Sequence, residues 1–234
     1  MRLSGVGGER AAAHLLSSAS AMGVRSFHCS DEYDSFPLFM SAWARARLAG
    51  KATLVAKIAS PHFDEDRFSA RRVRDKIERY LRDLAVEKVD TVQWLLRHDL
   101  AQERERQRIL VAAAEEIGEL AATLKREGKI TSFVGFPYSR PIAESLVAAS
   151  FCDGLALYLN PLEHEMNPMV GACAIAGKPV LAIRPFAGGR VFVETDLGAN
   201  GALAQVFAFP AVATAVVSAS SQAHLDALQP WLGT

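Results

Sequence analysis

In Val24-Arg25-Ser26-Phe27-His28-Cys29-Ser30-Asp31-Glu32-Tyr33 an apolar run, Val24 to Ser30, stops at two acids and a phenol. The next such run, Ala52-Thr53-Leu54-Val55-Ala56-Lys57, closes on an ammonium. Between them Phe36 to Leu48 reads as a helix that ends near Gly50. The unit is therefore strand, helix, strand, and such units build parallel sheets. Neighbouring parallel strands bring Tyr33 and Lys57 to the same edge of one sheet. A nearby ammonium favours phenolate and lowers a phenol's pKa. Tyr33 thus becomes a candidate proton donor or acceptor near neutral pH.

The same alternation runs outward in both directions. Before it, Glu9 to Met22 is rich in alanine and leucine and stops at Gly23, a helix with its stop signal. After it, Asp66 to Leu84 places Val73, Ile77, Leu81 and Leu84 at helical spacing. Val89 to Leu96 reads as a strand, and Leu100 to Lys125 as a long helical region ending near Gly128. Strands follow at Ile130–Phe136, Gly154–Leu159, Pro179–Ile183 and Thr214–Ala219. Helices are predicted at Pro141–Ala149, Pro168–Ala176, Asn200–Phe209 and Gln222–Leu228. A short opening strand around Arg2 to Val6 completes eight βα units. The strands are apolar runs and not strict alternations, as expected where both faces are buried. Eight units predict a single-domain α/β chain over residues 1–234, a (βα)8 TIM barrel whose site opens at the C-terminal strand ends. Pattern alone leaves a doubly wound sheet as the alternative.

Composition narrows the function. The 234 residues are 50% apolar, enough for a sizeable core. Lys plus Arg equals Asp plus Glu at 26 each, so no net field draws nucleic acid or an anionic membrane. The arginines between Arg67 and Arg82 alternate with Asp75 and Glu78 and read as a solvated helix face. Val206 to Val217 is short and broken by Pro210, which predicts no membrane span. Cys29, Cys152 and Cys173 are widely spaced and odd in number, which fits a reducing cytoplasm better than a disulfide framework. No signal pattern opens the chain. His28, Cys29, Asp31 and His98, with His62, Glu163 and His164, lack a fixed ligand spacing, so no metal site is expected.

The order of motifs resembles the aldo-keto reductase superfamily from about Gly23 to Leu228. The stretch from Gly23 to Tyr33 looks like its second strand and catalytic loop, and Val55-Ala56-Lys57 like its third strand. Lys125 to Ile130 with Val134-Gly135 looks like strand five, and Asn160-Pro161-Leu162 like the end of strand six. Pro185 to Gly189 looks like the loop after strand seven, and Ser218-Ala219-Ser220-Ser221 like the phosphate loop after strand eight. The resemblance implies a TIM barrel that reduces carbonyls with NADPH, or less often NADH, through an Asp, Tyr, Lys and His tetrad. Tyr33 and Lys57 match the Tyr and Lys places. The Asp place holds His28. The His place holds Leu95, with His98 three residues further on. The places that grip the nicotinamide amide hold Pro137, Tyr138 and, for the Gln, Ala156; the ring-stacking aromatic falls at Ile183.

Each candidate has two readings. His28 is a proton shuttle, since its pKa moves easily across neutrality, or an ordinary barrel-interior residue. His98 touches the site, or belongs to a strand–helix junction capped by Asp99. Ser218, Ser220 and Ser221 offer hydroxyls beside free helix-start amides, which suits a phosphate, or they are plain N-caps. Arg184 is the nearest cation in strand order. The leading expectation is reduction of a small aldehyde or ketone with a nicotinamide cofactor, with a phosphorylated substrate as a variant. The alternatives are a cofactor-free acid/base enzyme, such as an isomerase or lyase, and a non-catalytic metabolite-binding barrel.

Overall fold

The apolar runs do become strands, and they stay in chain order. The computed structural model describes Leu3 and residues 5–232. Its strands are β1 (Ser26–Cys29), β2 (Thr53–Ala59), β3 (Val89–Leu95), β4 (Ile130–Phe136), β5 (Gly154–Tyr158), β6 (Val180–Ile183) and β7 (Val212–Val216). Each pairs in parallel with the next, from β1 to β7. The helices are α1 (Glu9–Ala21), α2 (Phe36–Arg45), α3 (Ala70–Asp83), α4 (Glu103–Arg126), α5 (Arg140–Ala148), α6 (Asn167–Ile175), α7 (Val191–Glu194), α8 (Ala199–Phe207) and α9 (Gln222–Asp226). A parallel sheet wound through helical crossovers coils in one hand. Seven such strands curl into a nearly closed TIM-type barrel.

The expected opening strand at Arg2–Val6 is not observed among the described residues. Leu3, Gly5 and Val6 carry no strand, while Arg2 and Ser4 lie outside the described residues. Leu3 is buried, and its amide donates to Ser35 Oγ at 3.1 Å instead of to a strand neighbour. Other boundaries move for local reasons. The third helix starts at Ala70, four residues after the expected Asp66, because Ser69 caps it: Ser69 Oγ accepts from the Arg72 amide at 3.3 Å. The last strand runs from Val212 to Val216 and not from Thr214 to Ala219, so residues 217–221 form a loop. The short α7 was not foreseen.

Strand alternation separates the two larger of the three core clusters among the described residues. Leu54, Ala56 and Ile58 of β2 face the helices with Trp94 and Phe133. Val55 and Ala59 face the barrel axis with Leu95, Val134, Phe136, Ala156 and Leu181. Gly154 fixes how closely β5 and β6 meet: a Cβ there would lie 2.5 Å from the Pro179 carbonyl oxygen. Only glycine admits that approach.

Candidate active site

A cavity of about 730 Å³ opens at the C-terminal end of the barrel. Its polar floor comes from three adjacent strands. His28 of β1 is paired with Val55 of β2, and Lys57 of β2 with Gln93 of β3. Cα partners in a parallel pair point the same way, so His28, Lys57 and Gln93 all project toward the barrel axis. Tyr33, on the loop after β1, completes the floor. Lys57 Nζ lies 5.2 Å from the centroid of the Tyr33 ring, and the centroid of the His28 ring lies 6.2 Å from it. Phe136, Tyr138, Tyr158, Phe186 and Phe192 supply much of the apolar wall.

Glu32, Arg97 and Gln93 are the partners that sequence reasoning did not single out. Glu32 Oε2 accepts from Lys57 Nζ at 2.8 Å. Both its oxygens also accept from Arg97, at 2.9 Å from Nη1 and 2.7 Å from Nη2. Burial works to raise the Glu32 carboxyl, but the hydrogen bonds from Lys57 and Arg97 outweigh it and hold the carboxyl below its usual range. Arg97 is only 6% exposed, and its Nε donates to the Tyr138 hydroxyl at 3.1 Å. The available signal was Arg97 itself. An arginine that follows a largely buried strand and is itself buried almost always has an anionic partner. What no local pattern reveals is that the partner is Glu32, 65 residues away.

His28 sits against Gln93, with Nε2 and Oε1 2.7 Å apart. Burial pushes its imidazole down to about 3, with Lys57 adding to the shift against the hydrogen bond that Nε2 donates to Gln93. The ring is thus neutral at neutral pH. Its depressed folded-state pKa makes a clear prediction. Above pH 6.5 neither state binds the proton, and the full stability is present. As pH falls from 6.5 toward 3 the unfolded chain takes up a proton that the native site refuses. The wild type should lose up to about 3 kcal/mol by pH 4 through this residue. Urea unfolding at pH 7, 5.5 and 4 checks it: the His28→Gln variant should show a shallower acid loss.

The other expected residues divide. Arg184 and Ser218 line the same cavity. The Arg184 guanidinium lies 4.9 Å over the Tyr158 ring and 3.6 Å from Glu163. Ser220 and Ser221 do not line the cavity. The Ser220 amide donates to His224 Nδ1 at 3.3 Å, and Ser221 Oγ caps α9 by accepting from the His224 amide at 3.3 Å. His98 also stands outside the cavity lining, with Nδ1 3.0 Å from the Glu65 carbonyl oxygen. His98 (φ 45°), Tyr138 (φ 59°) and Arg184 (φ 56°) all follow strand ends in the left-handed region. Each such residue costs roughly 1–2 kcal/mol. Arg47 (φ 51°) and Ala85 (φ 50°) share that conformation in the turns that lead into β2 and β3, so such strain occurs at both ends of the barrel.

A parallel barrel with tyrosine, lysine and histidine converging at its C-terminal mouth belongs to the TIM-barrel class. Solved structures narrow the fold. An aldo-keto reductase from Bacillus halodurans in its holo form superposes with a TM-score of 0.76 at 15% identity, over 99% of this chain and 85% of that one. An aldo/keto reductase from Klebsiella pneumoniae in complex with NADP and acetate gives 0.69 at 18% identity, over 97% and 83%. A thermostable aldo-keto reductase in complex with the inhibitor epalrestat gives 0.69 at 15% identity, over 95% and 82%. No protein-family model and no curated protein matches the chain. This chain has the aldo-keto reductase fold.

Proposed function

We propose that this single barrel is an aldo-keto-reductase-like oxidoreductase that reduces a small aldehyde or ketone with NADPH or NADH. The observation that carries the reading is the placement of Lys57 Nζ 5.2 Å from the Tyr33 ring within the mouth cavity. The cavity of about 730 Å³ and its aromatic wall support the reading that a flat nicotinamide ring enters there. Its charged lining residues, among those described, are Lys57 and Arg184, with no Asp or Glu, which suits phosphate oxygens. Arg184 and Ser218, which line the cavity, would hold them; Ser220 and Ser221 would have to exchange their bonds to His224 first. The three thiols are buried and free, in keeping with a cytoplasmic location.

When bound, the cofactor supplies the hydride. The chain's own part is proton supply and orientation. Tyr33 delivers its hydroxyl proton to the oxygen that was the substrate carbonyl. Lys57 stabilises the phenolate that remains. His28 stays neutral and fixes Gln93, whose side chain faces the cavity beside Lys57. The aromatic wall excludes water from the reacting atoms. Titration with NADPH and NADH, followed by protein fluorescence, tests the reading, and binding with turnover of small aldehydes is the expected result. Absence of binding up to millimolar cofactor overturns it.

One observation favours a second reading, a cofactor-free acid/base enzyme. Tyr138 stands where the family resemblance implies an amide grip, and its hydroxyl is already engaged by Arg97 at 3.1 Å. Proton abstraction beside a carbonyl would need only Tyr33, Lys57 and the cavity. A phosphorylated carbonyl compound, held by Arg184, is the substrate class for that case.

A further inference from the structure

We infer that Glu32 is the positioning carboxylate of Lys57 in this barrel, and that Arg97 locks it there. The inference rests on the reading of Tyr33 as the proton donor. The place where the family resemblance implies an acid holds His28, which is neutral and bonded to Gln93, so it gives Lys57 no negative charge. Glu32, one residue before Tyr33, supplies that charge from the loop instead, 2.8 Å from Nζ.

The geometry says why the loop residue can do this. A glutamate on a loop is ordinarily free to swing into water. Here both carboxylate oxygens meet the flat edge of the Arg97 guanidinium, a bidentate contact that fixes orientation as well as distance. Arg97 is held in turn by Tyr138 at 3.1 Å and by His62 Nε2 at 2.8 Å. Arg97 follows β3 and Lys57 lies within β2, so the carboxylate ties the Tyr33 loop to two strands at once. Adjacent Asp31 faces away: its carboxylate accepts from the Tyr80 hydroxyl at 3.0 Å and lies near Lys76 and Arg79. Among the described contacts, Glu32 and the Tyr33 ring face Lys57 directly, and Arg97 and His62 meet Glu32 from its other side. Lys57 and Arg97 share one carboxylate, and Lys57 Nζ lies 5.2 Å from the centroid of the Tyr33 ring.

The alternative is that Glu32 and Arg97 only strap two loops together. Two readouts separate these. The first is the NMR titration of the Lys57 ammonium, which needs no turnover. In Glu32→Gln it should move down by about one unit or more, since an adjacent carboxylate supports the ammonium by 1–3 units. Glu32→Asp should fall between the two, and Asp31→Asn should titrate with the wild type. The second is kinetic: Glu32→Gln should lose on the order of 10-fold or more in kcat for carbonyl reduction, with cofactor Kd within about twofold. Should Glu32→Gln fail to fold, Glu32→Asp carries both measurements. Lys57 titrating alike in the wild type and the glutamate variants, or kcat unchanged in them, overturns the inference. A wild type that binds neither nicotinamide overturns the proposed function, while the Lys57 titration still decides the role of Glu32.

Discussion

Replacing Tyr33 by phenylalanine is expected to lower kcat for carbonyl reduction by on the order of 10²- to 10⁴-fold, the usual worth of a placed general acid. The fold should survive. Tyr33 is half-buried on a loop, and its backbone bonds, the amide to Ser30 at 3.1 Å and the carbonyl from Phe36 at 2.8 Å, do not involve the hydroxyl. Cofactor Kd should change little, because the lost atom acts on the reacting oxygen. Steady-state kinetics alongside circular dichroism reads this directly. The same substitution divides the functional classes. An acid/base enzyme of either kind loses turnover, whereas a barrel that only binds a metabolite keeps its affinity. Full activity in Tyr33→Phe would remove the phenol from the chemistry.

The largest loss of stability is expected from Trp94→Ala. Trp94 is fully buried between the sheet and the helices, with its ring 5.9 Å from Phe68, 5.8 Å from Phe133 and 6.4 Å from Phe151. Its Nε1 donates to the Ser60 carbonyl oxygen at 2.7 Å. Truncation opens a cavity among aromatic rings that do not collapse into it and leaves that carbonyl unpaired. The cost should be about 3–5 kcal/mol. For a chain of this size that lowers Tm by roughly 10 °C or more. Trp94→Phe, which keeps most of the volume, should lose far less. Equal melting of the wild type and Trp94→Ala would mean that the cluster is not the centre of the core.

Strand and helix order was legible because it is written locally. The run at Ala52–Lys57 is apolar on both faces, and a parallel strand covered by helices outside and barrel inside requires that. The helix at Asp66–Leu84 shows its buried stripe at Val73 and Ile77, which the structure indeed buries. Tyr33 and Lys57 were legible for the same reason, since each closes or follows such a run. Arg184 likewise follows β6 and reaches the cavity. The terminal serines read less well. Their pattern is shared by phosphate loops and by simple caps, and here Ser221 spends its hydroxyl on α9.

What the sequence by itself determined is the parallel order of the strands and the presence of a phenol and an ammonium at their C-terminal ends. Hydrophobic periodicity and chain order are enough for that. Only the tertiary structure decided which groups surround them. Asp31 and Glu32 are neighbours with the same charge, yet one turns to Tyr80 on the outer side and the other to Lys57 and Arg97 at the mouth. His28 and His98 are the same residue type, yet one lines the cavity and the other bonds a loop carbonyl beside it. The physical reason is that charge–charge and hydrogen-bond energies depend on distances of a few ångströms between residues far apart in the chain. Those distances exist only once the barrel has curled.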